Sequence, residues 1–354
     1  MEGFVYQSRP GRVVFGAGSL STVGDEVSSL GLKRVVVLSG ADMADFADRV
    51  TGLIGDVAVG TFTGAAMHTP VDVTEVALQE VLKLEADGLV AVGGGSAIGL
   101  GKAIALRTDL PQIVIPTTYA GSEMTPVIGE TRDGAKVTQT TDKVLPEVVI
   151  YDAELTLGLP VAMSVSSGIN AIAHAVEALY ARYRNPVIDI MAEEGIRALF
   201  EAIPAIAADP SDKAARSKAQ YGAWMCGMCL AGAGMALHHK LCHTLGGSFG
   251  LPHAPTHTVV LPHALAYNAP AIPEVMDRLR RITGSDDPAL ALQALSANAG
   301  GPVALSTLGF AEADIDEAVS RALANAYWNP RPLEAEPLRE TLRRAWAGEP
   351  PVSR

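Results

Sequence analysis

Disulfide chemistry is the first thing this sequence lacks. With only Cys226, Cys229 and Cys242 in 354 residues, no covalent framework can hold the fold, which has to rest on a buried core. Positive charge is short as well. Lys and Arg number 27 against 39 Asp and Glu, a net charge of -12 with a pI of about 5.1, so the long-range field repels DNA, RNA and anionic membrane surfaces. The same field opposes an anionic substrate, which has to be met locally by a few Lys, Arg or backbone N–H groups. No continuous apolar span is long enough for a membrane helix, and no secretory n-region precedes the folded-looking start MEGFVYQSRPGRVVFG. The expectation is a cytoplasmic protein without transmembrane segments.

Charged residues are also few, 19% against 48% hydrophobic with a mean hydropathy of +0.23, which excludes a disordered chain. At this length two domains are a more natural division than one. Cys226 and Cys229 make a CxxC, but no strand–helix redox context precedes it. The pair sits in an apolar, helical run with Trp224, Met225, Met228 and Leu230, so buried thiols are the better reading.

The first part of the chain alternates β-branched runs with helical patterns. Strands are expected over 34–38, 55–60, 88–93, 112–116 and 148–151, with a helix through about Arg49 and another over 71–85. Strands separated by 10–15-residue helices imply βαβ units and a parallel sheet. From about Leu155 the signal becomes helical throughout: 161–182, 186–208, 211–235, 237–245, 270–282 and 287–297, punctuated by Pro and Gly. The expected organisation is a Rossmann-like α/β domain over 1–154 and an all-α domain over 155–354.

In the first domain a β run, Val90-Ala91-Val92, feeds Gly93-Gly94-Gly95-Ser96 and then an apolar helix through Gly99 and Lys102. Without Cβ atoms the backbone can turn tightly, and its N–H groups at a helix N terminus can hold a phosphate or pyrophosphate. It is neither the GxGxxG fingerprint nor a Walker A loop, and the same glycines would also suit a plain strand–helix turn. A second segment, Thr117-Thr118-Tyr119-Ala120-Gly121-Ser122, follows another strand and gathers hydroxyls at the C-terminal edge of a parallel sheet, the usual ligand crevice. Those hydroxyls can equally cap a helix.

Seven of the eight histidines lie between His174 and His263. Helix positions four apart share a face, which pairs Asn170 with His174 and His239 with His243. His253 follows a Leu-Pro turn. Imidazoles from two helices and a loop can converge on a divalent metal or on a reacting carbonyl. His238 reads as a neighbour of the cluster or a surface residue, and His257 and His263 as core histidines.

These stretches, with Phe15–Gly18, Leu110–Pro126, Ser166–Tyr180, Met235–Gly247, His257–Asn268 and Tyr327–Pro332, resemble the iron-containing alcohol dehydrogenase superfamily, whose architecture is that of dehydroquinate synthase. Within it the sequence looks most like the maleylacetate reductase group. The resemblance implies a dinucleotide, NADH or NADPH, held by Gly93, Gly94, Gly95 and Ser96 and by Thr117, Thr118, Tyr119 and Ser122. It places family metal ligands on Asn170, His174, His239 and His253, and the family's histidine beside the nicotinamide on His243. Two departures matter. Gly99 stands where the loop usually has an acid, and Asn170 stands where the first metal ligand is normally aspartate. An amide supplies no charge to offset a dication, so metal is not expected to be required. At the strand end Ser39-Gly40, glycine replaces the aspartate that NAD-specific relatives use for the ribose, so NADPH is expected to be tolerated alongside NADH.

The reaction that the resemblance implies is reduction of a small dicarboxylate enone, maleylacetate, to 3-oxoadipate in bacterial breakdown of aromatic compounds. His174, His239 or His253 would donate hydrogen bonds to the developing oxyanion, and His243 would deliver the proton. Lys136, Lys143, Arg107 and Lys240 are candidate partners for the carboxylates, with Lys102 assigned to cofactor or local structure. A homodimer is the ordinary expectation. Rival readings are a metal-dependent alcohol or polyol dehydrogenase of the same fold, a dehydroquinate-synthase-like lyase, and a nucleotide-binding sensor.

Overall fold

A run of fully buried β-branched residues can be satisfied only between two covered faces, and the first half of the chain is built that way. The structure, a computed structural model, describes residues 11–132 and 135–353 with Phe4 and Tyr6, the side chains of Ala135 and Lys136 excepted. The chain divides into two compact units between Leu159 and Pro160.

In the first unit six strands form one sheet: β1 (Arg12–Phe15), β2 (Val35–Leu38), β3 (Ala58–Phe62), β4 (Gly88–Gly93), β5 (Gln112–Pro116) and, last in the chain, Val148–Tyr151. A separate antiparallel pair, β6 (Val127–Arg132) and β7 (Ala135–Thr140), precedes that last strand, which is therefore β8. The sheet runs β1-β8-β5-β4-β2-β3 and every pairing is parallel. Its helices are α1 (Val23–Ser29), α2 (Ala44–Ile54), α3 (Val71–Lys83) and α4 (Gly95–Thr108). The period-2 alternation of the strands sorts the core into two layers. Val35, Val37, Val90, Val92, Ile113 and Ile115 pack with Val23, Val27, Val50 and Ile54 of α1 and α2. Val36, Leu38, Leu89, Ala91 and Val114 pack with Ala77, Val81, Ile98 and Ile104 of α3 and α4.

The second unit is helical: α5 (Val161–Tyr180), α6 (Pro186–Ala208), α7 (Lys213–Ala233), α8 (Leu237–Phe249), α9 (His253–Asn268), α10 (Pro273–Thr283), α11 (Pro288–Asn298), α12 (Ile315–Ala324) and α13 (Ala335–Ala347). Side-chain caps set several starts. Asn185, Asp212 and Asp287 each accept hydrogen bonds from two N–H groups in the first turn that follows. The result is the α/β-plus-all-α architecture of the dehydroquinate synthase-like class. No helix among the described residues is long and apolar enough to cross a membrane.

Several elements differ from expectation, β1 and α1 among them, for which no strand or helix was expected. The weak strand over 55–60 begins later, at Ala58, because Gly55 turns left-handed (φ 71°) into a short 3-10 turn over Gly55–Val57. The β6/β7 pair was not anticipated. Nor was α9: the run around Thr258–Leu261, flanked by His257 and His263, is helix, so His253 opens a helix instead of sitting on a loop. Cys226 and Cys229 are buried in α7, and burial pushes both thiols up, as the reading of inert thiols requires.

Lys102 locks the first unit internally. It is 2% exposed on α4, and its Nζ donates to the carbonyls of Ser122 (2.6 Å), Thr125 (2.7 Å) and Val127 (3.0 Å). Burial pushes the amine down to about 7 and Glu123 pulls the other way. Three carbonyls can be satisfied together only by an ammonium, so the protonated form fits the geometry. Local structure is thus the role of Lys102 that these contacts show. Removing this donor leaves three backbone acceptors to find other partners. Lys102→Met is expected to cost about 3 kcal/mol of stability, read as a lowered urea midpoint at neutral pH; an unchanged midpoint would count against this role.

Candidate active site

The glycine loop has the local geometry that a dinucleotide cradle needs. Gly93 ends β4 with φ 146°, and a Cβ there would lie 3.0 Å from Ala97 Cβ. A Cβ on Gly94 would lie 2.9 Å from Thr118 Cγ2, so the two loops approach at backbone distance. Gly95 is exposed with open space beside it, and α4 starts there with no side-chain cap. Its first N–H groups are uncapped donors, the kind of group that a phosphate can accept from. Around this turn the hydroxyls of Ser39, Thr117 and Ser122 are buried and have no hydrogen-bond partner among the described residues. Buried hydroxyls without partners cost free energy unless a ligand satisfies them. Tyr119 is different: its side chain is buried and its hydroxyl donates to Thr156 Oγ1 at 3.0 Å, so the ring is spent on the core.

Two of the glycines singled out in the sequence, Gly99 and Gly40, have local packing consequences. A Cβ on Gly99 would fall 2.3 Å from Thr69 Oγ1. The space that an acid would need at position 99 is filled by threonine. A Cβ on Gly40 would fall 2.6 Å from Asp42 Oδ1, so the Asp42 carboxylate lies beside the backbone that follows β2.

In the helical unit α5 carries Asn170, His174 and Glu177; α8 carries His238, His239, Cys242 and His243; α9 carries His253 and His257. The four histidines singled out from sequence fall in one group. His174 Nδ1 and His239 Nε2 are 3.0 Å apart. The His239 ring lies 6.0 Å from that of His243 and 5.2 Å from that of His257, and His257 lies 4.3 Å from His253. His174 and His239 are buried, whereas His243 and His253 are partly exposed. His238 is fully buried, which excludes the surface reading; its Nε2 is 2.9 Å from His257 Nδ1 and 3.7 Å from Cys242 Sγ. That trio has ligand atoms within 4.8 Å of one another. Burial pushes both its imidazoles down and its thiol up, so it is a neutral hydrogen-bonded knot at ordinary pH.

Two residues of this group were not found from sequence. Glu177 is fully buried one turn beyond His174, and its Oε2 is 2.6 Å from His239 Nδ1. A glutamate in a helical run reads as solvated, and only burial reveals it. Tyr327 places its hydroxyl 3.1 Å from His243 Nδ1. The segment carrying it is fastened by a reciprocal amide pair between Asn329 and Asn268 (2.7 and 3.0 Å) and by Arg331, which donates to Tyr267 O at 2.6 Å.

The residues at the family's metal positions, Asn170, His174, His239 and His253, are an amide and three imidazoles, donors that carry no negative charge when neutral. Asn170 offers a neutral amide oxygen, buried and without a partner among the described residues. Both ring nitrogens of His239 are already within hydrogen-bond distance of other groups. Asn170 therefore removes the carboxylate from these positions, and the acidic side chain nearest to them is Glu177, behind His239.

Of the cations considered for substrate carboxylates, Arg107 is paired with Glu75 and Glu130 at 3.0 and 2.8 Å, and Lys143 lies 3.8 Å from Asp109. The side chain of Lys136 lies outside the described residues. Lys240 is on α8, its Nζ 5.5 Å from the centre of the Tyr327 ring that also meets His243.

A sheet-edge cradle for a dinucleotide and a buried imidazole group define a nicotinamide-dependent oxidoreductase of the dehydroquinate synthase-like class. Two family profiles match nearly the whole chain, iron-containing alcohol dehydrogenase over residues 10–153 and the C-terminal part of the Fe-containing alcohol dehydrogenase family over residues 164–346. The chain belongs to the iron-containing alcohol dehydrogenase family. It is 52% identical over 350 residues to a maleylacetate reductase of Sphingobium indicum, covering 99% of both chains. Its fold superposes on the crystal structure of maleylacetate reductase from Agrobacterium tumefaciens with a TM-score of 0.95 at 52% identity, covering 99% of this chain and 100% of that one. A putative alcohol dehydrogenase from Ralstonia eutropha gives 0.98 at 55% identity with the same coverage.

The buried neutral histidines make the helical unit acid-sensitive. Burial, with a contribution from Arg344, pushes His263 down to about 4 from its ordinary 6.5. Between those values the unfolded chain binds a proton that the folded one refuses, so stability is whole above pH 6.5 and is lost as pH falls. His263 alone is expected to remove on the order of 2 kcal/mol between pH 6.5 and 5. Urea titrations across that range should show a shallower decline for His263→Leu; parallel declines would contradict it.

Proposed function

We propose that this protein reduces maleylacetate to 3-oxoadipate with NADH or NADPH, in the breakdown of aromatic compounds. The observation that carries this reading is similarity to maleylacetate reductases along 99% of the chain at about half identity, and Asn170 agrees with it. Gly93, Gly94, Gly95 and Ser96 hold the pyrophosphate with the N terminus of α4, and Ser39, Thr117, Thr118 and Ser122 supply hydroxyls around it. Bound NAD(P)H supplies the hydride.

Hydride addition to the carbon–carbon double bond of an enone moves an electron pair onto the ketone oxygen and forms an enolate. His174, with His239 behind it and His253 close by, donates hydrogen bonds to that oxygen. His243, oriented by Tyr327, gives a proton to the adjacent carbon, which completes the reduction. Lys240 meets a substrate carboxylate. In this reading the reaction needs no metal, and the enzyme works as a homodimer in the cytoplasm. The test is NAD(P)H oxidation with maleylacetate, repeated after exhaustive chelation. Turnover that survives chelation is expected. Its loss, with recovery on adding Fe²⁺ or Zn²⁺, would favour a metal-dependent dehydrogenase, and no turnover at all would end the substrate reading.

Asp42 bears on the choice of cofactor. Its carboxylate beside Gly40 is an acceptor suited to a ribose diol and a repellent for a 2′-phosphate. NADPH is therefore used less well than NADH. Asp42→Asn should raise the ratio of kcat/KM for NADPH to that for NADH by about tenfold; an unmoved ratio would remove Asp42 from cofactor selection.

A further inference from the structure

Residues 325–334 join α12 to α13 without helix or strand, so side chains have to hold this strap in place. Asn329 is its anchor. Its Nδ2 donates to Asn268 Oδ1 at 2.7 Å and to the carbonyl of Arg331 at 2.7 Å. Its Oδ1 accepts from Asn268 Nδ2 at 3.0 Å and from the Leu237 N–H at 3.4 Å. A carboxamide has two donor hydrogens and two acceptor lone pairs, and here every one of them is used. The backbone partners fix which way the amide faces, since an N–H can only donate and a carbonyl can only accept. No other side chain of this size offers the same set: aspartate lacks both donors, and leucine has no polar atom. Beyond the anchor, Arg331 donates to Tyr267 O at 2.6 Å with its guanidinium 4.4 Å from the centre of that ring, and Tyr267 Oη donates to Pro332 O at 2.7 Å.

Tyr327 stands two residues before Asn329, at most about 7 Å of chain away. Its hydroxyl is 3.1 Å from His243 Nδ1, and its ring centre is 5.5 Å from Lys240 Nζ. His243 and Lys240 both belong to α8, and Leu237, whose N–H meets Asn329, is the first residue of that helix. Asn268 is the last residue of α9. One side chain thus joins the strap that carries Tyr327 to the helix that carries both of its partners. We propose that Asn329 is a positioning residue: it holds Tyr327 within hydrogen-bond distance of His243 and beside Lys240. The proposal rests on the reading above, in which His243 delivers a proton and Lys240 meets a carboxylate. Bare support of α8 and α9 is the alternative that the test has to separate.

The first measurement needs no substrate. In ¹³Cζ-tyrosine NMR the Tyr327 signal, assigned as the one lost in Tyr327→Phe, is expected to move in Asn329→Ala. The second is a double-mutant cycle on NAD(P)H oxidation with maleylacetate. Tyr327→Phe and Asn329→Ala should each lower kcat about tenfold, and the double variant should lie within about twofold of Tyr327→Phe alone. Support of the helices alone would lower the thermal midpoint of Asn329→Ala but leave the Tyr327 signal and the kcat of the folded fraction unchanged. Either of those unchanged values, or a further tenfold loss on top of Tyr327→Phe, would overturn the proposal. Should Asn329→Ala not fold, Asn329→Asp keeps the shape and the acceptor for Leu237, and the same results decide. A moved Tyr327 signal in a protein that does not turn over maleylacetate would uphold the anchor and sink the substrate reading.

Discussion

A buried carboxyl group is costly unless it is hydrogen-bonded, and Glu177 is tolerable because two backbone N–H groups and the imidazole of His239 converge on it. Two of them belong to the start of α8 and the third to an imidazole on that helix. The same side chain therefore meets the start of α8 and the ring of His239. Moving α8 relative to α5 would shift the His174–His239 distance and break the helix start together. One side chain thus ties the packing of two helices to the arrangement of the histidine group.

The first unit is organised on a related principle. Lys102 is a buried cation met by backbone carbonyls, as Glu177 is a buried carboxyl group met by backbone donors. It fastens α4 to the stretch that follows Ser122, so the glycine turn and the hydroxyl-bearing segment are held by one helix. The donors of the loop can then face a phosphate without first being ordered.

Much of this was legible in the sequence. The strands 88–93, 112–116 and 148–151 appear with the expected bounds because fully buried parallel strands read as unbroken β-branched runs closed by glycine, proline or polar residues. The helices α5 and α6 were legible from their spacing and from Leu159-Pro160 and Asn185-Pro186 at their starts. α9 was not, because residues from Thr256 to Asn268 are buried on every face, and a helix without a polar side has no amphipathic period to detect. The β6/β7 pair was passed over although Asp133-Gly134 between two alternating runs is a hairpin signal. His174, His239, His243 and His253 were legible from i,i+4 spacing and a turn. Glu177 and Tyr327 were not, since nothing in their local sequence distinguishes a buried partner from an ordinary surface or loop residue.

The contact between Thr69 and Gly99 ties two positions far apart in the chain. Thr69 adopts a left-handed backbone (φ 49°), an unusual state for a β-branched residue, and is held there by Thr131, whose N–H donates to its carbonyl at 3.1 Å. With its hydroxyl occupying the room beside α4, a side chain at position 99 would force Thr69 to move. The side chain at position 69 thus limits what position 99 can hold, so the two residues are coupled through a single contact although thirty positions separate them in the chain.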